Sequence, residues 1–187
     1  MQLPMRTNLG RRGVLAGACA LMASVAAPAV VCAQGLPGVR RAVLYNLHTG
    51  DSFNEVFYAN GQYMPDALAE AMRVLRDWRN GEEHPMDPRL FDALHEISAR
   101  LDTGKAFQVI SGYRSPSTNA MLHARSSGVA EHSQHMLGKA CDVRVEGVSL
   151  RDLRNAALDV GAGGVGFYPV SNFVHVDVAR VRQWTGV

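Results

Sequence analysis

The stretch Ser133-Gln-His-Met-Leu-Gly-Lys-Ala-Cys-Asp142 decides how this chain is interpreted, because it carries an imidazole and a carboxylate separated by six residues. The segment 139–145 predicts a short strand that the chain enters through Gly138. On this interpretation His135 lies in the loop before the strand, and Asp142 points from one face of it. A loop histidine and a strand carboxylate at this separation can bind one ion.

A third ligand is predicted downstream, in the apolar segment Asn172-Phe-Val-His-Val-Asp177. His175 lies in this segment, and the two-residue period of a strand places Asp177 on the same face as His175. Two histidines and one carboxylate, with a fourth position left open, form the ligand set of a catalytic zinc site. The sequence therefore predicts one Zn²⁺ per chain, held by His135, Asp142 and His175.

Four further motifs accompany the pattern Ser-x-His-x-x-Gly-x-Ala-x-Asp, and they are Asn46-Leu-His-Thr-Gly50, Ile110-Ser-Gly-Tyr-Arg-Ser115, Ala162-Gly-Gly-Val-Gly-Phe-Tyr-Pro169 and Asn172-Phe-Val-His-Val-Asp177. With these motifs the chain resembles the zinc D-alanyl-D-alanine peptidases. Within that group it is similar to the murein endopeptidases of the MepK type, which cut peptide cross-links in the bacterial cell wall. The resemblance extends from the amino-terminal segment to Trp184.

The hydrophobic pattern predicts a single α+β domain at residues 34–187, with a mainly antiparallel sheet flanked by helices. The resemblance implies a fold like that of hedgehog proteins and D-alanyl-D-alanine peptidases. A helix is predicted over 65–79, where Trp78 completes an apolar stripe, and the strand at 173–178 is predicted to be the last. His48 is expected to be a hydrogen-bonded turn residue with a role near the cleft left open, while His84 and His95 are expected on the surface or on a helix face.

The resemblance also implies roles for residues around the metal. In related peptidases the arginine of the Ser-Gly-Tyr-Arg motif lies beside the ion, which implies that Arg114 binds a substrate carboxylate or stabilises the developing oxyanion. A planar guanidinium is chemically suited to both tasks. Tyr113 of the same motif is expected to contribute to substrate binding. Ser133 is expected to hold His135 or Asp142 by a hydrogen bond.

The general base is less clearly marked. Related carboxypeptidases place a glutamate or a histidine two or three residues before the last zinc histidine, where this chain has Asn172 and Phe173. Neither side chain accepts a proton. Asp177 is the first substitute and His132 is the second, while Asp177 has the alternative role of orienting a neighbouring group.

The first 33 residues predict a twin-arginine export signal, because Arg11-Arg12 precedes an uncharged run from Gly13 to Val31 and a small-residue cleavage point. Without the three arginines of this segment, the mature chain keeps 16 basic and 17 acidic residues and no basic stripe, which gives nucleic-acid binding no support. Cys141 is its one cysteine, so an intramolecular disulfide is excluded. These features predict a periplasmic protein with no membrane span after signal cleavage.

A periplasmic zinc peptidase of this size is expected to act on peptidoglycan. We predict an endopeptidase that cuts cross-links containing meso-diaminopimelate, of the diaminopimelate–diaminopimelate or the D-alanine–diaminopimelate kind. A D,D- or L,D-carboxypeptidase that trims stem peptides is one alternative. A non-catalytic wall-binding domain with a structural zinc is another, which the missing base before His175 keeps open. The sequence identifies no regulatory adaptor.

Overall fold

The computed structural model describes residues 1–2, 38–126 and 128–186. Apart from its first two residues, the export signal predicted at 1–33 lies outside the described residues, so the domain boundary after residue 33 stays a prediction. Within the described ranges, no helix combines the length and the apolar character that crossing a membrane requires.

One mixed sheet forms the framework of the described fold, with the strand order β3-β2-β1-β4-β5-β7-β6-β8. Its strands are β1 (Arg40–Asn46), β2 (Ser52–Ala59), β3 (Gln62–Tyr63), β4 (Phe107–Ser111), β5 (Ala140–Val145), β6 (Gly164–Tyr168), β7 (Phe173–Asp177) and β8 (Arg182–Thr185). The pairs β1–β4 and β6–β8 are parallel, and the other neighbouring pairs are antiparallel. The prediction of an α+β fold with a mainly antiparallel sheet is confirmed.

Four α-helices accompany the sheet, and they are α1 (Pro65–Val74), α2 (Pro88–Arg100), α3 (Pro116–Arg125) and α4 (Leu150–Val160). Helix α4 begins at the N-cap residue Ser149, whose Oγ accepts the Asp152 amide hydrogen at 3.1 Å and donates to Asp152 Oδ2 at 2.6 Å. Helix α2 packs on α4 and on β1. The core between helices and sheet includes the fully buried side chains of Phe57, Phe91 and Phe107.

Helix α1 ends at Val74, five residues before the predicted end at 79. The carbonyl oxygens of Val74 and Leu75 accept hydrogen bonds from Asn46 Nδ2 at 2.8 Å and from the Tyr113 amide at 2.7 Å. In a continuing helix these oxygens would accept from the amides four residues later. Because they bond to β1 and to the β4–α3 loop instead, the chain turns away, and Trp78 lies on a loop rather than on a helical stripe.

One prediction about the strands was also wrong. The strand β7 is not the last, since β8 follows it and pairs with β6 in parallel, so Trp184 belongs to the sheet. Of the two positions expected for His95, the structure has the helix face, because the residue lies on α2, is 9% exposed and has its Nδ1 3.0 Å from the carbonyl oxygen of Arg41. Apolar and polar residues alternate too weakly in the segment 179–187 for β8 to be predicted from the sequence.

Candidate metal centre

Three buried side chains converge at the middle of the sheet. His135 follows Ser133 on a short 3-10 helix, Gln134–Leu137, while Asp142 on β5 is the register partner of His175 on β7. One ligand atom from each of these three residues lies within 4.8 Å of the other two. The structure therefore brings together the three residues that the sequence predicted as metal ligands.

The separations between the ligand atoms fit a tetrahedral ion. His135 Nε2 lies 3.2 Å from Asp142 Oδ1 and 3.2 Å from His175 Nδ1, and Asp142 Oδ1 lies 2.9 Å from His175 Nδ1. Ligands at about 2.0–2.1 Å from zinc, at tetrahedral angles, lie about 3.3 Å apart. The triangle of ligand atoms needs little adjustment to bind such an ion.

In each histidine, the ring nitrogen that faces away from the centre is hydrogen-bonded, and this orients the other nitrogen toward the centre. His135 Nδ1 lies 2.6 Å from the carbonyl oxygen of Gly112, which only accepts, so Nδ1 carries a hydrogen and Nε2 offers its lone pair. His175 Nε2 lies 3.0 Å from Asp177 Oδ2, so its other nitrogen, Nδ1, faces the centre. A proton on His175 Nδ1 would give the Asp142 oxygen a hydrogen-bond donor but would leave the lone pair of His135 Nε2 without one. A divalent cation would bind all three ligand atoms.

The electrostatics of the cluster suit metal binding. Burial lowers the pKa of His135 to about 4, which keeps the ring neutral at neutral pH. Burial also opposes ionisation of Asp142, but His135 and Arg114 hold the pKa of that carboxyl well below its usual range. Burial alone would lower the pKa of His175, but the hydrogen bonds and charges of Asp142 and Asp177 are stronger and raise it. A metal at this centre would compete with that proton.

Asp177 lies behind His175 and not at the open side of the centre. Its carboxylate is fully buried and accepts from the amides of Gly164 and Ala179 at 2.9 Å each. It also accepts from Arg182 Nη2 at 2.7 Å and from the His175 ring. The geometry therefore argues against Asp177 as the general base, since its oxygens are occupied and face away from the ligand atoms. Its placement favours the alternative role of orienting a neighbour.

The Ser-Gly-Tyr-Arg motif sends its two candidate side chains in different directions. Arg114 lines the cleft, where its Nη2 donates to Asp142 Oδ2 and its Nε donates to Ser111 Oγ at 2.8 Å. Tyr113 is 4% exposed, and its hydroxyl donates to Glu82 Oε1 at 3.0 Å. Burial and this carboxylate raise the pKa of Tyr113 to about 12. The arginine is placed to meet a substrate, and the tyrosine is placed to support the fold.

The centre opens into a cleft of about 690 Å³. Residues 126, 128–130 and 132–134 supply one part of its wall, including the exposed side chain of His132. Another part is aromatic, because Tyr168 stacks on Phe173 with ring centroids 4.5 Å apart and accepts from Trp184 Nε1 at 2.9 Å. Ser133 contributes through its hydroxyl, which accepts from the His135 amide at 3.3 Å.

Three residues that line this cleft were not predicted as site residues, and they are Tyr168, Arg182 and Trp184. The arginine and the tryptophan are two residues apart on β8, so they share one face of a strand that was not predicted. The glycine-rich motif makes room for them. A Cβ on Gly164 would lie 2.3 Å from Arg182 Nη1, and one on Gly166 would lie 2.6 Å from the Trp184 indole. Close packing explains these glycines.

Comparisons with known proteins agree with the geometry. A family model described as peptidoglycan L,D-endopeptidase MepK matches residues 35–184. The protein of that name from Escherichia coli K12 is 43% identical over 178 residues, which cover 95% of this chain and 98% of that protein. A probable peptidoglycan L,D-endopeptidase MepK from Haemophilus influenzae is 39% identical, with 95% of this chain and 96% of that protein covered. No solved structure matches the chain.

Proposed function

The chain belongs to the family of peptidoglycan L,D-endopeptidases MepK, and we propose that it is a metallopeptidase that hydrolyses peptide cross-links of peptidoglycan. The observation that carries this proposal is the convergence of three buried ligand atoms within 4.8 Å of one another at the base of a cleft. Three protein ligands leave one position for water or substrate, as catalytic zinc sites do and as closed structural sites do not.

Zinc is the metal we propose, held by His135, Asp142 and His175. Two imidazole nitrogens and one carboxylate oxygen are ligands that zinc accepts in tetrahedral geometry. When bound, the ion supplies Lewis-acid activation for hydrolysis of an amide at neutral pH. The chain itself contributes pre-oriented rings, since each histidine is fixed by a hydrogen bond at its other nitrogen.

Arg114 is the proposed stabiliser of negative charge on the substrate. Its guanidinium is held beside the centre by Asp142 and Ser111, and its side chain keeps 13% exposure toward the cleft. Within the described chain its Nη1 makes no hydrogen bond, so a donor remains for a substrate oxygen. This position suits a substrate carboxylate or the developing oxyanion.

His132 is the proposed general base. The other titratable side chains that line the described part of the cleft are the three proposed metal ligands, two arginines and a tyrosine. His132 is the one that remains for proton transfer at neutral pH. Histidine is the side chain most often used for proton transfer in catalysis. Asp177 is then a positioning residue that holds His175 through a hydrogen bond of 3.0 Å.

The cross-link between two diaminopimelate residues is the proposed substrate bond. The relatives are named L,D-endopeptidases, and a D-alanine–diaminopimelate bond would place a D residue on the carbonyl side. The substrate lies in the cell wall, and the Arg11-Arg12 pair with its apolar run supports export to the periplasm by the twin-arginine pathway. We propose residues 1–33 as the cleaved signal and 34–187 as the peptidase domain.

Digestion of purified murein tests the function. We expect cross-linked peptide dimers to disappear and monomers to accumulate, with chromatography separating diaminopimelate–diaminopimelate dimers from D-alanine–diaminopimelate dimers. Release of terminal residues without loss of dimers would favour a carboxypeptidase. Binding to murein without any product, in the presence of added zinc, would favour the wall-binding alternative.

A further inference from the structure

The loop after α1 is docked against the residues that follow Arg114. Asp77 is fully buried, and its Oδ2 accepts from the Ser115 amide at 2.9 Å while its Oδ1 accepts from the Arg79 amide at 3.1 Å. Asn80 Nδ2 donates to Ser115 Oγ at 3.0 Å. These three hydrogen bonds fix the backbone of residue 79 beside the Arg114 side of the metal centre.

The side chain of Arg79 lies on a stack of two rings. The imidazole of His48 and the indole of Trp78 are nearly parallel, with an interplanar angle of 13° and centroids 3.9 Å apart. The Arg79 Cζ lies 4.1 Å from the centroid of the same indole. Two groups this close to one ring centroid must occupy opposite faces of the ring. The indole is therefore sandwiched, and its second face holds the guanidinium.

The motif Asn46-Leu-His-Thr-Gly50 builds the far side of this stack. Asn46 is buried, and its Oδ1 accepts from the amides of His48 and Thr49 at 2.9 and 3.3 Å. The His48 Nε2 lies 3.1 Å from the carbonyl oxygen of Ile110, which can only accept. The backbone of His48 and one nitrogen of its ring are thus both fixed. A motif that the metal centre does not use has a role as the support of Trp78 and Arg79.

Within the described chain the guanidinium of Arg79 donates no hydrogen bond and forms no ion pair, and the oxygens of nearby Asp77 already accept from backbone amides. Asp77 joins residue 79 to Ser115, the residue that follows Arg114, so the two arginines belong to the same part of the surface. In keeping with this, burial and the charge of Arg114 lower the pKa of Arg79, and the charge of Asp77 offsets this only in part. Two cations in one part of the surface, of which one is exposed on a rigid aromatic support, form a site for an anion.

We infer that Arg79, held on the His48–Trp78 stack beside Arg114, binds a free carboxylate of the murein peptide and determines specificity for it. This inference rests on the proposed function, because that function supplies a substrate whose stem peptides carry carboxylates. A guanidinium presents two parallel donors to a carboxylate, and the stack keeps the side chain from losing further freedom on binding. Arg79 touches substrate away from the reacting amide, and Arg114 acts nearer the metal.

Binding of a non-hydrolysable probe tests the inference. The probe is a murein peptide dimer whose cross-linking amide is replaced by a methylene-amine, prepared with free carboxylates and with amidated carboxylates. Calorimetry on the zinc-loaded chain gives the ratio of the two dissociation constants. We expect Arg79→Gln to reduce this preference for the free carboxylates by about tenfold or more, the size of a charge-assisted hydrogen bond. The matched control is Arg151→Gln, which removes an exposed arginine of α4 and leaves the ratio unchanged.

A ratio that stays within about twofold of the wild-type value in Arg79→Gln would overturn the inference. A wild-type chain that binds the acid and amide probes equally would overturn it as well. Hydrolysis of the unmodified dimer is measured separately. Absence of hydrolysis would reject the proposed function, and the binding ratio would still decide the role of Arg79.

Discussion

His175 presents its two ring nitrogens to opposite partners, with Nε2 3.0 Å from Asp177 Oδ2 and Nδ1 2.9 Å from Asp142 Oδ1. The carboxylate of Asp177 is in turn held by two backbone amides and by Arg182. The ring therefore cannot rotate without breaking a network that extends to β8. This relationship supports the proposed role of Asp177 in orienting His175, a proposed metal ligand.

Replacing Asp177 with Asn should weaken metal binding. The Asn side chain can offer one oxygen to His175 but loses the charge that balances Arg182 and stabilises the oriented ring. We expect about 10–100-fold lower zinc affinity, measured by competition with a chromophoric chelator. If Asp177 were the general base, the substitution would reduce hydrolysis and leave zinc affinity unchanged. Unchanged zinc affinity together with lost hydrolysis would contradict the positioning role.

A methyl group on Gly164 should disturb the same network from the other side. The Cβ of Gly164→Ala would lie 2.3 Å from Arg182 Nη1 and 2.5 Å from Asp177 Oδ2. We expect about 1–3 kcal/mol lower unfolding free energy, as for other overpacked sites, and weaker zinc binding. Chemical denaturation and metal titration measure the two effects. Gly104→Ala is the control, because its Cβ would meet nothing within 4 Å, and an equal effect there would refute the explanation.

Removing the imidazole of His132 should reduce turnover without affecting the metal. The side chain is exposed and lines the cleft, so His132→Ala should fold and bind zinc like the wild type. We expect kcat on a murein dimer to fall about 10²–10⁴-fold, the usual contribution of a general base. A kcat within a few-fold of wild type would assign the proton transfer to another group.

Asp77 should contribute stability that depends on pH. Burial opposes its ionisation, but hydrogen bonds from Thr118, Ser115 and Arg79 lower its pKa below the usual 3.8. Folding thus favours the ionised form, so the contribution is complete well above the unfolded pKa of 3.8 and is lost as pH falls through the lowered pKa. At neutral pH, Asp77→Asn should cost about 2 kcal/mol, since the amide group faces a backbone donor.

The difference between Asp77→Asn and wild type should shrink as pH falls through the lowered pKa of Asp77, because the wild-type carboxyl then also becomes neutral. Urea denaturation at several pH values measures this difference. A cost that is constant with pH would show that the ionised form of Asp77 is not what stabilises the loop.

The sequence allowed the convergence of His135, Asp142 and His175 to be predicted, because each belongs to a local motif on a strand or just before one. The helix caps at Asp87 and Ser149 are local signals of the same kind. Such features depend on a few residues that are close in the sequence, so the folded protein has them where the local sequence indicates.

What could not be predicted depends on long-range partners. The end of α1 is set by Asn46 and Tyr113, which lie far from Val74 in the sequence and take the carbonyl groups that the helix would use. The occupied oxygens of Asp177 likewise depend on Arg182, in a strand with little alternation. No periodicity within one segment contains this information.

Zinc content and murein digestion, measured on the same preparation, test the central claim most directly. For the wild type we predict one zinc per chain and conversion of murein dimers to monomers, with both lost on chelation and restored by added zinc. His135→Ala, Asp142→Ala and His175→Ala should each lose zinc and activity while keeping the fold by circular dichroism. Full dimer cleavage by a zinc-free chain, or by any of these three variants, would contradict the account.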